Sequence, residues 1–174
     1  MQLILIIAPT LLAGLTFIFV LKKNLLKGAN IPIDQGVTFR EKPIFGSNKT
    51  WRGFLVMPFA TCFWGILLLL LVQGSLSLQH ISMYFLAGIC YSLFELPNSF
   101  FKRQCGIMPG ESVVKTPFRV VFSLIDRIDS LIGVALIFLL FSFGTKMEIT
   151  IAVLLGAFLH YCTDILMRKL HLKK

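Results

Sequence analysis

Apolar residues arrive in this chain in five long blocks, at about 2–21, 54–73, 81–97, 118–143 and 149–167, with most polar residues swept into the connections. The blocks are apolar around their whole circumference, so no single stripe separates a core face from a wet one. Roughly 20 helical residues cross a hydrocarbon core about 30 Å thick, and these blocks have that length or come near it. Five such helices have no place in a small soluble domain, whose surface-to-volume ratio leaves too little interior to bury them. The pattern predicts an all-α integral membrane protein of about five transmembrane helices, forming one domain over residues 1–174. The first block is expected to stay as a helix. It lacks a basic leader, its apolar run is long, and its positive charges follow it.

Two connections stand apart from the short ones. Residues 22–53 are punctuated by Gly28, Pro32, Gly36, Pro43, Gly46 and Gly53, and residues 98–117 by Gly106, Pro109, Gly110 and Pro117. Both read as loop with short structured pieces, and long polar loops on one face of a rigid bundle are where binding groups usually sit. Charge orders the topology. Of 17 Lys and Arg, 15 lie in the 22–53 connection, around the 98–117 connection and in the tail, and the opposite connections hold only Lys146. The positive-inside rule then places the amino terminus outside and the carboxyl terminus in the cytoplasm, in a multi-pass protein of the cell (inner) membrane with its long loops and its site facing the cytoplasm. The net charge of +9 is accounted for by those loops, and no nucleic-acid partner is expected. Cys62, Cys90, Cys105 and Cys162 show neither metal-ligand nor disulfide spacing.

The fourth block, FRVVFSLIDRIDSLIG from Phe118 to Gly133, breaks the pattern with Asp126, Arg127 and Asp129. Ionisable residues inside a membrane helix are costly unless they face a polar cavity, a metal or a partner. Asp126 and Asp129, at i and i+3, share one face, and two ionised carboxylates there call for a cation. Oxygen ligands suit Mg²⁺, which keeps waters and shares its coordination with substrate phosphates. The structural alternative is an ion pair from Arg127 to Glu95 or Asp164, though one arginine cannot neutralise several acids. Gly133, four residues beyond Asp129, lets a neighbouring backbone or ligand come close.

The third block ends in a polar stripe of Glu95, Asn98, Ser99 and Lys102 at i, i+3, i+4 and i+7, which reads as a site wall. Lys102 and Arg103 are candidates to hold phosphate oxygens, the arginine as a fork and the lysine as a point charge. Gly46 to Gly53, GSNKTWRG, opens the second block with residues able to cap a helix whose amides favour anions. The spacing is not that of a Walker A loop, and the alternative there is a plain cap with Trp51 and Arg52 as interfacial anchors. His160 and Asp164, at i and i+4, read as a packed polar contact.

Three segments, Ile44 to Gly53, Ser99 to Arg103 and Leu124 to Ser130, together resemble the membrane CTP-transferase superfamily, best known for the phosphatidate cytidylyltransferases. In that family Ser-x-x-Lys-Arg precedes Asp-Arg-x-Asp, as Ser99 to Arg103 precedes Asp126 to Asp129 here. The small size, Pro32-Ile33-Asp34, Lys49 to Gly53 and the Gly106-Ile107-x-Pro109-Gly110 turn are similar to the CDP-archaeol synthases. The chain departs from the phosphatidate enzymes at Met108 to Gly110 and Val121 to Ser123, where they carry Lys-Asp and His-Gly-Gly.

The resemblance implies a CTP-dependent cytidylyltransferase: a lipid phosphate attacks the α-phosphorus of CTP, pyrophosphate leaves, and a CDP-lipid remains in the membrane. On that reading Asp126 and Asp129 hold Mg²⁺, and Lys102 and Arg103 stabilise the triphosphate or the leaving pyrophosphate. Asn48, Lys49, Thr50 and Arg52 bind nucleotide or lipid phosphate, with Asn98, Ser99 and Arg127 in the substrate-binding set. A second copy of the chain is a candidate partner to close the site. Two other classes stay open. One is a non-catalytic, anionic-lipid-binding membrane subunit or degenerate family member. The other is an ion pathway, although five helices without an internal repeat fit the common transporter plans poorly.

Overall fold

The computed structural model describes residues 1–109 and 119–169, apart from the side chains of Arg119, Asp164, Leu166, Met167 and Arg168. Five helices follow the five apolar blocks: α1 Gln2–Lys22, α2 Trp51–Gln73, α3 Leu78–Gln104, α4 Arg119–Leu140 and α5 Lys146–Lys169. Three of them, α1, α2 and the Lys146–Thr163 part of α5, are long and apolar enough to cross a bilayer. The chain is an integral membrane protein. α3 and α4 are as long as the others; α3 carries the polar stripe, and α4 carries three charges, Asp126, Arg127 and Asp129, within its length.

The largest departure from the apolar blocks is α3, which runs through Asn98 to Gln104 before stopping. The polar stripe keeps helical spacing, so nothing in it ends the helix. Gly106, with φ +79°, does so in the left-handed region, and the Ile107 N–H returns to the Lys102 carbonyl at 3.0 Å. α4 ends at Leu140, three residues inside the expected boundary, and Ser142 and Gly144 adopt positive φ in the turn to α5.

The helices pack in a ring, with α1 against α2 and α5, α3 against α2 and α4, and α4 against α5. At one end Tyr84 is fully buried among Leu5, Leu69, Phe138 and Phe143, and its hydroxyl donates to the Leu5 carbonyl at 3.2 Å. Glycines set the spacing of the inner helices. A Cβ on Gly88 would lie 2.5 Å from Pro58 Cα, and one on Gly133 would lie 2.6 Å from the Cys90 carbonyl oxygen. Such close approach is how membrane helices gain dispersion contact without a hydrophobic driving force between them. Phe59, Phe63, Leu71, Leu154 and Phe158 point outward and are exposed, as a lipid-facing surface requires.

The 23–50 connection holds a 3₁₀ turn at Lys27–Ala29 and a two-residue hairpin, β1 Thr38–Phe39 with β2 Lys42–Pro43, paired antiparallel as Thr38 with Pro43 and Phe39 with Lys42. Arg40 and Glu41 both take positive φ at its tip, as the tight turn demands.

Candidate active site

The last turns of α3 and the first half of α4 face one another across a polar seam. Asn98, buried, donates from Nδ2 to Asp126 Oδ1 at 2.6 Å and to Asp129 Oδ2 at 2.9 Å. Lys102, one turn further along α3, forms an ion pair with the same Asp126 oxygen. The Ser130 N–H donates to Asp129 Oδ1 at 2.7 Å. The i, i+3 spacing on α4 and the i, i+4 spacing on α3 therefore meet, and two carboxylates converge on a single amide nitrogen.

The 31–50 segment docks over the same end of α3. Lys42 Nζ donates to the Gln104 carbonyl at 2.7 Å, and the Phe39 ring lies 5.9 Å from that of Phe100. Gly46, with φ +91°, passes so close that a Cβ there would meet Pro109 Cγ at 2.7 Å and Arg103 Cδ at 3.4 Å. Only glycine serves at this point. Lys49 then forms an ion pair with Glu95, one turn before Asn98.

Asp34 holds that segment in shape. Its carboxylate accepts from the N–H groups of Phe45 (2.9 Å), Gly46 (2.8 Å) and Gly36 (3.2 Å). Burial raises the Asp34 pKa, and these three donors outweigh it, holding the carboxyl below its ordinary value of 3.8. The Ile33 N–H donates to the Lys49 carbonyl at 2.8 Å and the Trp51 N–H to the Ile31 carbonyl at 3.0 Å, so the entry to α2 is tied to residues 31–33.

The structure thus brings Asn98, Lys102, Asp126 and Asp129 into one cluster, with Lys49 adjacent through Glu95. Other candidates are engaged elsewhere. Ser99 is buried and donates to the Glu95 carbonyl of its own helix at 2.9 Å. Arg103 is buried beside the Gly46 turn. Thr50 occupies the N-cap position of α2 without a side-chain capping bond, which corrects the expected cap, and Asn48 lies exposed on the loop.

Arg52 turns toward the end of α1, with Nη1 3.4 Å from the Leu25 carbonyl and 3.5 Å from Asn24 Oδ1. Arg127 stacks on the Tyr161 ring of α5 at 4.5 Å, so its guanidinium has an aromatic partner there. The Asp164 half of the His160–Asp164 pair, and residues 110–118 of the second long connection, lie outside the described residues. Glu95, a member of the stripe and one expected partner of Arg127, pairs instead with Lys49, 46 positions away along the chain. Asp34 carried one local signal of its clamp, a glycine two residues on, as in an Asx turn.

Beside the acidic seam, between α1, α4 and α5, lies a mainly apolar cavity of about 70 Å³ whose lining includes Thr10, Tyr91, Leu131, Val134, Gly156 and His160. None of Asn98, Lys102, Asp126 and Asp129 lines it.

Comparison with known proteins identifies the family. A family model described as CarS-like: CDP-archaeol synthase matches residues 3–174. A CDP-archaeol synthase of Thermofilum pendens is 31% identical over 135 residues, covering 76% of this chain and 59% of that protein. One of Pyrococcus furiosus is 36% identical over 90 residues, covering 50% of this chain and 53% of that protein. The chain thus spans between half and two thirds of the length of the curated relatives it matches. No solved structure matches it. With a family model matched over almost its full length, the chain belongs to the CDP-archaeol synthase family.

Proposed function

We propose that this chain is a CTP-dependent cytidylyltransferase of the membrane, converting an isoprenoid glyceryl ether phosphate into a CDP-lipid with release of pyrophosphate. The relatives' name gives CDP-archaeol as product, which makes the phosphate monoester of archaeol the proposed acceptor. The observation that carries the reading is the convergence of Asp126 Oδ1 and Asp129 Oδ2 on one atom of Asn98, with Lys102 alongside. A pair of membrane carboxylates aimed at one point, flanked by cations, is a site for metal and phosphate.

The residues present fit Mg²⁺. Their donors are carboxylate oxygens, as a hard cation requires, and Asn98 Oδ1 is buried without a partner at the other end of the same amide. Among the described residues no group of three or more His, Cys, Asp and Glu gathers, so the two carboxylates are the acidic ligands on offer. Asp126 and Asp129 would hold the ion, which supplies charge neutralisation between the nucleotide phosphates and the protein.

The chain's own work is alignment. Asn98 fixes the two carboxylates, Lys102 meets phosphate charge, and Arg103, behind the Gly46 turn, adds positive charge at the same end of α3. An oxygen of the lipid phosphate then forms a bond to the α-phosphorus of CTP while the bond to the β-phosphate bridging oxygen breaks, and pyrophosphate departs. Such a displacement asks for position and electrostatics more than for a covalent nucleophile. All five helices span on this reading, with the amino terminus outside and the docked loop meeting cytosolic CTP, as the distribution of lysine and arginine supports.

Pyrophosphate release from CTP and Mg²⁺ by the detergent-purified protein tests the proposal. The acceptor panel holds an unsaturated isoprenoid glyceryl ether phosphate and phosphatidate. Release with the ether lipid, lost by about 10³-fold or more in Asp126→Asn/Asp129→Asn while the fold persists, is the expected result. No release from folded protein with any acceptor rejects it and points to an anionic-lipid-binding subunit instead.

A further inference from the structure

Lys102 does more in this structure than stand ready for phosphate. Its ammonium is paired with Asp126 Oδ1, the oxygen that also accepts from Asn98 Nδ2. The Lys102 side chain is 13% exposed and that of Asp126 35%, so water screens the pair only in part. A divalent ion held by Asp126 and Asp129 would draw on that same carboxylate. The position is thus already claimed by a cation covalently tied to α3, and an ammonium and a metal beside one carboxylate repel each other. Nucleotide phosphates change the balance, because they give the ammonium a second anionic partner within reach of its flexible stem.

We propose that Lys102 is a tethered counter-ion, which keeps divalent metal binding weak until a nucleoside triphosphate draws its ammonium off Asp126. The inference rests on the metal reading of Asp126 and Asp129 given above. It makes metal and nucleotide bind with positive coupling, each favouring the other by the same factor. It also explains how an acidic pair survives inside a membrane bundle when neither ligand is present, since the chain supplies its own neutralising charge. Lys49 and Glu95 repeat the arrangement two turns back along α3.

The test titrates Mn²⁺ alone into full-length protein in detergent, without nucleotide or lipid, and follows free Mn²⁺ by electron paramagnetic resonance. Wild type and Lys102→Arg, which keep the charge, are expected to bind weakly. Lys102→Met and the polar neutral variant Lys102→Gln are expected to bind about tenfold tighter or more. That gain disappears when Asp126→Asn/Asp129→Asn is added. In wild type, CTP without acceptor lipid tightens Mn²⁺ binding after the Mn²⁺–CTP complex in solution is subtracted, and in the neutral variants it does so less.

Aspartate-dependent binding of equal strength in wild type and the neutral variants overturns the counter-ion role and leaves the metal site standing. Wild-type binding that CTP does not tighten overturns it as well, without needing any variant to fold. Absence of aspartate-dependent Mn²⁺ binding in every variant overturns both the counter-ion and the metal reading.

Discussion

Between α1 and α2 the contact is hydrocarbon almost throughout. Ala13, Val20, Val56, Met57 and Ala60 form one buried cluster, and one polar bond crosses it, from Trp64 Nε1 to Thr16 Oγ1 at 3.0 Å. Between α3 and α4 one end of the contact is equally dry, with Gly133 set against the Cys90 carbonyl and the Phe94 ring. Two turns away the same pair of helices closes on Asn98, Lys102, Asp126 and Asp129. Both pairs obey the same close-packing rule. They differ in what they join: α1 and α2 meet to bury surface, and α3 and α4 meet to bring charges together at a partly covered seam. The tight glycine contact therefore helps set the geometry of the candidate site, although it touches none of its charges.

Adding one methyl group at two glycines tests that difference most strongly. A Cβ at Gly133 would stand 2.6 Å from the Cys90 backbone oxygen and 2.8 Å from the Phe94 ring, whereas nothing lies within 4 Å of one at Gly14 on α1. Gly133→Ala is expected to push α4 from α3, lowering stability by about 1–3 kcal/mol. A shift of about 1 Å in the acidic pair relative to Asn98 and Lys102 should also lower turnover by about 10²-fold. Gly14→Ala should change stability by about 0.5 kcal/mol or less and leave turnover intact. Unfolding in detergent and pyrophosphate release read both. Equal, small effects at the two positions would mean that the α3–α4 seam is not what fixes the site.

Hydropathy and helical spacing made much of this legible. The five blocks gave the helices to within a few residues except at the α3 end, and the i, i+3 and i, i+4 rules put Asp126 with Asp129 and Asn98 with Lys102. Periodicity identifies residues that share a face; it does not identify what that face meets. Arg127 lies between the two acids in sequence, and the 3.6-residue period turns it away from them, onto Tyr161 of α5. Arg52, in a motif that reads as phosphate-binding, is engaged with the end of α1. The docked loop was harder still, because its shape depends on Asp34 and on left-handed backbone at Leu26, Gln35, Arg40 and Glu41, none of them glycine. Pairings such as Lys49 with Glu95 follow from that shape, not from any local signal.

The loop supplies the middle rank of effects, since it joins the polar end of α3 from outside the bundle. Asp34→Ala leaves three backbone donors without their acceptor and is expected to cost about 2 kcal/mol at neutral pH, with Asp34→Asn milder. The pH dependence has a definite sign. Because the folded carboxyl lies below its ordinary 3.8, its contribution is complete above that value and is lost as pH falls through the depressed folded value. Wild type should therefore lose loop stability below about pH 4 by a term that Asp34→Asn lacks. Limited proteolysis of the 31–50 segment as a function of pH measures this locally. A segment cut at the same rate in wild type and Asp34→Ala at neutral pH would show that the clamp is not what holds it.

The smallest effect is expected on the dry side, and its smallness is informative. Trp64→Phe removes the one polar bond across α1 and α2 while keeping most of the aromatic surface. Hydrogen bonds between membrane helices average about 0.6 kcal/mol, because the separated helices find other partners. The variant should unfold in detergent with a loss of that order and transfer cytidylyl groups at the wild-type rate, since Thr16 and Trp64 contact none of the acids. Neutralising Lys102 is instead expected to alter the binding of metal and nucleotide as well as turnover. A polar bond is replaceable where it only joins two apolar helices. Where it sets the charge seen by a ligand it is not, and a fall in turnover for Trp64→Phe as large as that for Gly133→Ala would erase the distinction between the two helix pairs.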